Sequence, residues 1–371
     1  MTALTALLAE RIRRFGPMTF AEYMRECLYH PTFGYYSQPE TQRFADYYTS
    51  VDVNPIFGRL LARQFAEMWT ILGQPEEFHL VEAAAGSGRL AGQVLDFLET
   101  KLPTFYRAVR YVAVERSVAR SEQLSARLGK HIAAGKCRSS LDVPPALAVG
   151  CVFSNELLDA LPVHRVVRRG SALQEIFVIG RGDGFAEMEA PVSTCAIEDY
   201  FTAQAVQLED GQQAEVGLEA CDWITEIGRR LGRGFVVTID YGHEAADLFD
   251  AHHTAGTLMS YANHQAGEDY YAAPGEQDLT AHVNFTPLRL WGARVGLQAI
   301  GLVSQTAFLL ALGRANDFDD LYDDGMGETE KVRARLQLKT LIYPEGMGER
   351  FLVMIQEKGQ GPSRLTGLTP L

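Results

Sequence analysis

The 371-residue sequence has no apolar run that approaches the length of a membrane span. Its first residues carry Glu10 and lack the apolar stretch and cleavage site of a targeting peptide. The expected location is a bacterial cytoplasm, with a processed organellar chain as the alternative. Cysteine is scarce: Cys27, Cys137, Cys151, Cys195 and Cys221 are scattered, odd in number and without C-x-x-C spacing. That pattern excludes a disulfide framework and a cysteine zinc site, and reads as reduced, mostly buried thiols. Basic charge is also short. Lys and Arg number 34 against 47 Asp and Glu, and the net charge of −13 excludes the basic footprint of a general nucleic-acid binder. There is no internal repeat and no long low-complexity tract. The length allows one large domain with additions, or two smaller ones.

The most informative stretch is Leu80-Val81-Glu82-Ala83-Ala84-Ala85-Gly86-Ser87-Gly88-Arg89-Leu90. Phe78 to Val81 reads as a buried strand, and Leu90, Val94, Leu95 and Leu98 recur at helical spacing, so the glycines lie at a strand-to-helix turn. Small residues there admit a ligand to the backbone, and the helix N-terminus offers N–H groups. A second strand, Val109 to Val114, ends at Glu115. An acidic residue in that place suits the two hydroxyls of a ribose. A dinucleotide motif needs a third glycine three residues beyond Gly88, and none is present. Glu82 at the start of the turn would repel a pyrophosphate but suits the cationic methionine end of S-adenosyl-L-methionine. These residues therefore favour a Rossmann-like methyltransferase over an NAD or FAD enzyme.

Residues 1–75 read as an aromatic-rich helical cap, with Thr19 capping a helix that carries Phe20, Tyr23, Met24 and Leu28. A further helix from Pro55 to Leu72 bears the apolar stripe Phe57, Leu61, Phe65, Met68 and Trp69. Ser140 and Leu141 are candidates beside an adenine, in the loop after a third strand. Ala146 to Phe153 is a continuous apolar run expected of a buried parallel strand, and it leads into Ser154-Asn155-Glu156-Leu157-Leu158-Asp159. Asn155, Glu156 and Asp159 would then lie at the carboxyl edge of the sheet, where open α/β folds bind ligands. The competing reading is that Asn155 and Asp159 only cap the next short helix. Alternation around Gly170-Ser171 and Arg181-Gly182-Asp183-Gly184 predicts antiparallel strands. Another buried strand, Gly234 to Ile239, ends at Asp240. His252-His253 and His264 have no metal-ligand pattern, so no metal site is expected. The tail after Gly359, rich in Gly, Pro and Ser, reads as frayed.

The chain resembles the MidA-type methyltransferases, a family that includes a mitochondrial complex I assembly factor acting as a protein arginine methyltransferase. The matching stretches are Thr19 to Met24, Gly34-Tyr35-Tyr36, Asp46 to Ser50, Val81-Glu82 with Gly86-Ser87-Gly88, and above all Asn155 to His164. Asp240 to His243, Pro274-Gly275, Leu279 to Val283 and Met347 to Phe351 continue the match in order. The resemblance implies an α/β, class I Rossmann-like sheet with an N-terminal helical cap over residues 1–75. It implies a methyltransferase domain over 76–371, with antiparallel and helical insertions near 165–215 and 245–330. It further implies that Glu82, Ala84, Gly86 and Gly88 cradle the methionine end of S-adenosyl-L-methionine and that Glu115 holds the ribose. Thr49 and Ser50 would line the pocket from the cap.

Three positions depart from the family pattern: Ala84 replaces a glycine, Ala45 precedes Asp46 where glycine is usual, and Asn284 replaces a common Asp. If position 84 needs a left-handed backbone, alanine costs about 1–2 kcal/mol, or about tenfold in affinity. The expected reaction is methyl transfer to an arginine of a protein substrate, such as a respiratory-complex subunit, with S-adenosyl-L-homocysteine as product. Glu156 is the leading catalytic candidate, Asp159 its helper and Asp240 a third. The alternatives are a small-molecule methyltransferase and a cofactor-binding assembly factor without turnover.

Overall fold

Apolar runs of six to nine residues, separated by amphipathic helices, build a mostly parallel sheet in the computed structural model. It describes residues 2–37, 54–250, 253–262, 265–323, 325–343 and 348–370. The chain forms two units. One comprises Met1–Tyr47, Leu158–Ile224 and Gly242–Trp291, the other Tyr48–Leu157, Thr225–Tyr241 and Gly292–Leu371.

The second unit is built on seven strands, numbered here along the chain: β1 Phe78–Ala83, β2 Val109–Val114, β3 Cys137–Ser140, β4 Leu147–Asn155, β5 Leu231–His243, β6 Gln298–Ser304 and β7 Phe351–Lys358. Their order is β3-β2-β1-β4-β5-β7-β6. The first five are parallel, and β7 runs antiparallel to both β5 and β6. The expected α/β sheet is thus present. The order reverses between β1 and β4, whose register pairs Ala83 with Ser154. Their carboxyl ends therefore open side by side at the switch point, where such sheets bind ligands.

The helix Ile56–Ile71 buries Phe57, Leu61, Phe65 and Met68, and the Phe65 ring lies 4.8 Å from that of Phe153 on β4. The helix Arg89–Lys101 buries Leu90, Val94, Leu95 and Leu98, the face expected from their spacing. β6 carries no such signal in the sequence. Gly301 interrupts it at a register shift against β7, and most of the strand is only half-buried. The tail differs from expectation. Instead of fraying, Thr366–Leu368 forms a short 3-10 helix, with Thr366 donating to Glu67 and Gly367 to Gln64 at 3.0 Å. Leu365 beside it is buried.

The first unit contains the helix Ala3–Phe15 and the helix Phe20–Tyr29, the latter capped by Thr19 and Glu22 in a reciprocal box. Its antiparallel sheet joins His164–Arg169, Ala172–Arg181 and Gly184–Pro191 through the expected turns. Asn284, the Asp replacement, donates to Gln204 at 2.8 Å and accepts from the backbone of Thr286. No helix among the described residues is long and apolar enough to cross a membrane.

Phe153 underlies the carboxyl edge of β4 and is fully buried. Phe153→Ala should destabilise the protein by about 3–5 kcal/mol, read as a lower urea midpoint at unchanged slope.

Candidate functional site

The loop from Ala84 to Gly88 turns through three left-handed residues, Ala84 (φ 58°), Gly86 (φ 54°) and Gly88 (φ 75°). The condition set for Ala84 is therefore met: an alanine occupies a conformation that favours glycine. The two glycines serve different ends. A Cβ at Gly86 would meet nothing within 4 Å, so that face of the loop is open to a ligand. A Cβ at Gly88 would lie 3.0 Å from Leu124, so this glycine lets Arg89–Lys101 pack against the helix Val118–Arg127.

Glu115 is buried at the end of β2. One carboxylate oxygen accepts from the Gly86 N–H at 2.9 Å and the other from the Ser117 N–H at 2.8 Å. These two bonds fix the orientation of the carboxylate at the strand end. The Ser140 carbonyl accepts from the Glu115 N–H at 2.9 Å, which brings the end of β3 to the same edge. Leu141 is 59% exposed, and with Val118, Ser121, Glu122 and Ser125 it lines an open hollow of about 400 Å³.

Glu82 is buried near the end of β1, and Tyr111 on β2 donates its hydroxyl to Glu82 Oε2 at 2.6 Å. Burial pushes the Glu82 carboxyl up to about 8. The Tyr111 hydrogen bond opposes that rise, and the charge of Glu115 adds to it. Nothing in the residue pattern marks Tyr111, because alternation along one strand does not reveal a partner on the next.

At the end of β4, Glu156 is also left-handed, at φ 55°. A non-glycine residue there stores about 1–3 kcal/mol, and such strain concentrates at functional sites. The Glu156 N–H donates to the Ile239 carbonyl at 3.0 Å, and Asn155 Nδ2 donates to Glu156 Oε1 at 3.0 Å. Asn155 Oδ1 is buried and has no partner among the described residues, an acceptor that awaits a donor. Asp240 at the carboxyl edge of β5 is fully buried and accepts from the backbone N–H groups of Leu157 at 3.2 Å and Tyr241 at 3.1 Å. Asn155, Glu156 and Asp240 are thus drawn together by the β4–β5 pairing. Asp159 belongs to the first unit, buried in the short helix Leu158–Ala160, where its carbonyl accepts from Ala281. Thr49 and Ser50 lie outside the described residues.

An adenosyl cofactor with a cationic methionine end fits these groups. The loop is open at Gly86, a fixed carboxylate ends β2, and an unpartnered acceptor and acidic side chains crowd the edge. Nothing in the donor set resembles a pyrophosphate cradle.

The methyl of Ala84 is exposed, so Ala84→Gly removes little packing while relieving about 1–2 kcal/mol of backbone strain. The more flexible unfolded chain offsets about 0.4–1 kcal/mol of that. A net gain of between zero and about 1.5 kcal/mol is expected, as a raised urea midpoint.

The sequence matches the profile of an S-adenosyl-L-methionine-dependent methyltransferase family over residues 60–303. It is similar to the mitochondrial protein arginine methyltransferase NDUFAF7 of Mus musculus, with 28% identity over 95% of this chain and 83% of that one. The corresponding homolog of Drosophila melanogaster is also 28% identical, over 94% and 83% of the two chains. Among solved structures, a Burkholderia thailandensis protein bound to S-adenosyl-homocysteine superposes with a TM-score of 0.88 at 27% identity, covering 98% of this chain and 94% of that one. Since the family match spans well over half of its length, the chain belongs to the S-adenosyl-L-methionine-dependent methyltransferases of the MidA type.

Proposed function

We propose that the protein transfers a methyl group to an arginine guanidinium of a protein substrate, in the service of respiratory-complex assembly. The family supplies the reaction class and the cofactor. The arginine reading draws support from relatives at 24–28% identity that are named protein arginine methyltransferases. The observation that carries it is the strained Glu156, held at the sheet edge with Asn155 bonded to one of its carboxylate oxygens.

When bound, S-adenosyl-L-methionine supplies a methyl group already activated on a sulfonium, so the protein's work is mainly alignment. Glu82 would pair with the cofactor's ammonium, the open face at Gly86 would admit the methionine chain, and Glu115 would accept from the ribose hydroxyls. Ser140 and Leu141 would lie by the adenine, and the Asn155 oxygen would take a remaining donor. An arginine stays protonated above pH 12, so its attacking nitrogen gains lone-pair character only when a carboxylate localises the charge elsewhere. Glu156 matches the planar guanidinium fork and would take the proton that the nitrogen gives up when its bond to the methyl carbon forms and the carbon–sulfur bond breaks, with S-adenosyl-L-homocysteine as the leaving group. Asp159 assists. Asp240 acts more indirectly, because both of its oxygens already hold the backbone at the β4 and β5 ends.

The strain at Ala84 favours a second reading, a cofactor-binding assembly factor without turnover. Three measurements separate the two. Glu115→Ala should weaken S-adenosyl-L-homocysteine binding about 10- to 100-fold in titration calorimetry, the equivalent of one or two lost charged hydrogen bonds. Glu156→Gln should keep the affinity within about twofold and lose about 10²–10⁴ in transfer rate, followed by mass spectrometry of methylated arginine in protein fractions. Wild-type protein that binds the cofactor but methylates no fraction would establish the second reading.

A further inference from the structure

We propose that Tyr111 is a positioning residue for the methionine end of the cofactor, acting through Glu82. This rests on the reading of Glu82 as the partner of the cofactor's ammonium.

Register places Leu80 opposite Tyr111 and Glu82 opposite Ala113, so Tyr111 and Glu82 are diagonal neighbours on one face of the sheet. Both are almost fully buried, at 1% and 4% exposure. The 2.6 Å bond is short, as expected for a hydroxyl donating to a carboxylate. Tyr111 lies in an apolar strand, Val109 to Val114, and its ring stands edge-on to Phe153. A phenylalanine would fill that space as well, so packing does not explain the hydroxyl. Its bond to Glu82 does. Tyr111 holds Oε2, and no other hydrogen bond of Glu82 is found among the described residues, so Oε1 is the oxygen left for a ligand. The hydroxyl thus selects which carboxylate oxygen meets a ligand.

The surrounding titratable groups leave the proton question to Glu82 alone. Burial drives the Tyr111 phenol well above its ordinary range, so it remains a donor. Burial also raises the thiols of Cys137 and Cys151, the former to about 12, so both stay neutral. Glu115 adds repulsion. With the Glu82 carboxyl near 8, a bound cation must expel a proton below that pH. Affinity for a ligand that carries the ammonium should therefore rise with pH, by up to tenfold per unit, between pH 6 and 7.5. Removing the Tyr111 hydroxyl removes the bond that opposes this rise and moves the dependence to higher pH.

The test is titration calorimetry of wild type, Tyr111→Phe, Glu82→Gln and the double variant at pH 6 to 7.5. The two probes are S-adenosyl-L-homocysteine and 5′-methylthioadenosine, which lacks the amino-acid end. Tyr111→Phe is expected to bind S-adenosyl-L-homocysteine about tenfold more weakly at pH 7 and 5′-methylthioadenosine within twofold of wild type. The double variant should lose no more than Glu82→Gln alone. Equal loss of both probes in Tyr111→Phe would overturn the proposal in favour of a structural role, and so would no loss of either. If Glu82→Gln itself keeps wild-type affinity and pH dependence, the reading of Glu82 fails, and the role of Tyr111 fails with it.

Discussion

The site depends on one carboxylate. Glu115 accepts from Gly86, in the loop after β1, and from Ser117, in the loop after β2. It thereby ties together two turns that the parallel sheet merely sets side by side. Without that tie, the left-handed sequence at Ala84, Gly86 and Gly88 would rest on the Ala85 N–H bond to the Val114 carbonyl, the Gly88 N–H bond to the Ala85 carbonyl and packing. Charge-assisted hydrogen bonds of this kind are about twice as strong as neutral ones. The residue proposed to address the ribose is therefore also the one that shapes the loop, so in that reading cofactor geometry and loop geometry cannot vary independently.

Two L-residues hold left-handed backbones at adjacent strand ends, Ala84 beyond β1 and Glu156 beyond β4. Their situations differ. The Ala84 methyl is exposed and makes the strain a local cost, whereas Glu156 is locked by its N–H bond to Ile239 and by Asn155. β5 enforces the second conformation by pairing with β4 as far as Asn155. Asp240, on the next residue of β5, then receives the Leu157 N–H. The strained residue is thus held at the sheet edge by its bond to β5 and by the last side chain of β4.

Much of this was legible in the residues. Apolar spacing marked the strand and helix around the glycine loop, an acidic residue closing an apolar run marked Glu115, and paired turn residues marked the antiparallel strands. What escaped was information held between strands or against pattern. The Tyr111–Glu82 bond depends on register, which no single strand encodes. β6 was hidden because Gly301 breaks its alternation at a bulge. Glycine, proline and serine usually signal fraying, but in the tail Thr366 and Gly367 find acceptors in Glu67 and Gln64, on a helix about three hundred residues earlier.

The acidic character of the site has a consequence for its ligand. Glu82 and Glu115 repel across the loop, and burial denies Glu82 the water that would screen them. Without a cation, the cheapest resolution is a proton on Glu82, which the Tyr111 bond resists only in part. A sulfonium and an ammonium bring positive charge to the same edge and replace that proton. A pyrophosphate would bring two more negative charges to an edge that already carries Glu82 and Glu115, with the Gly86 N–H committed to Glu115. The same charges that discourage a dinucleotide therefore favour a cofactor whose reactive end is cationic. The substrate, an arginine in the proposed reaction, would carry the same sign to Glu156.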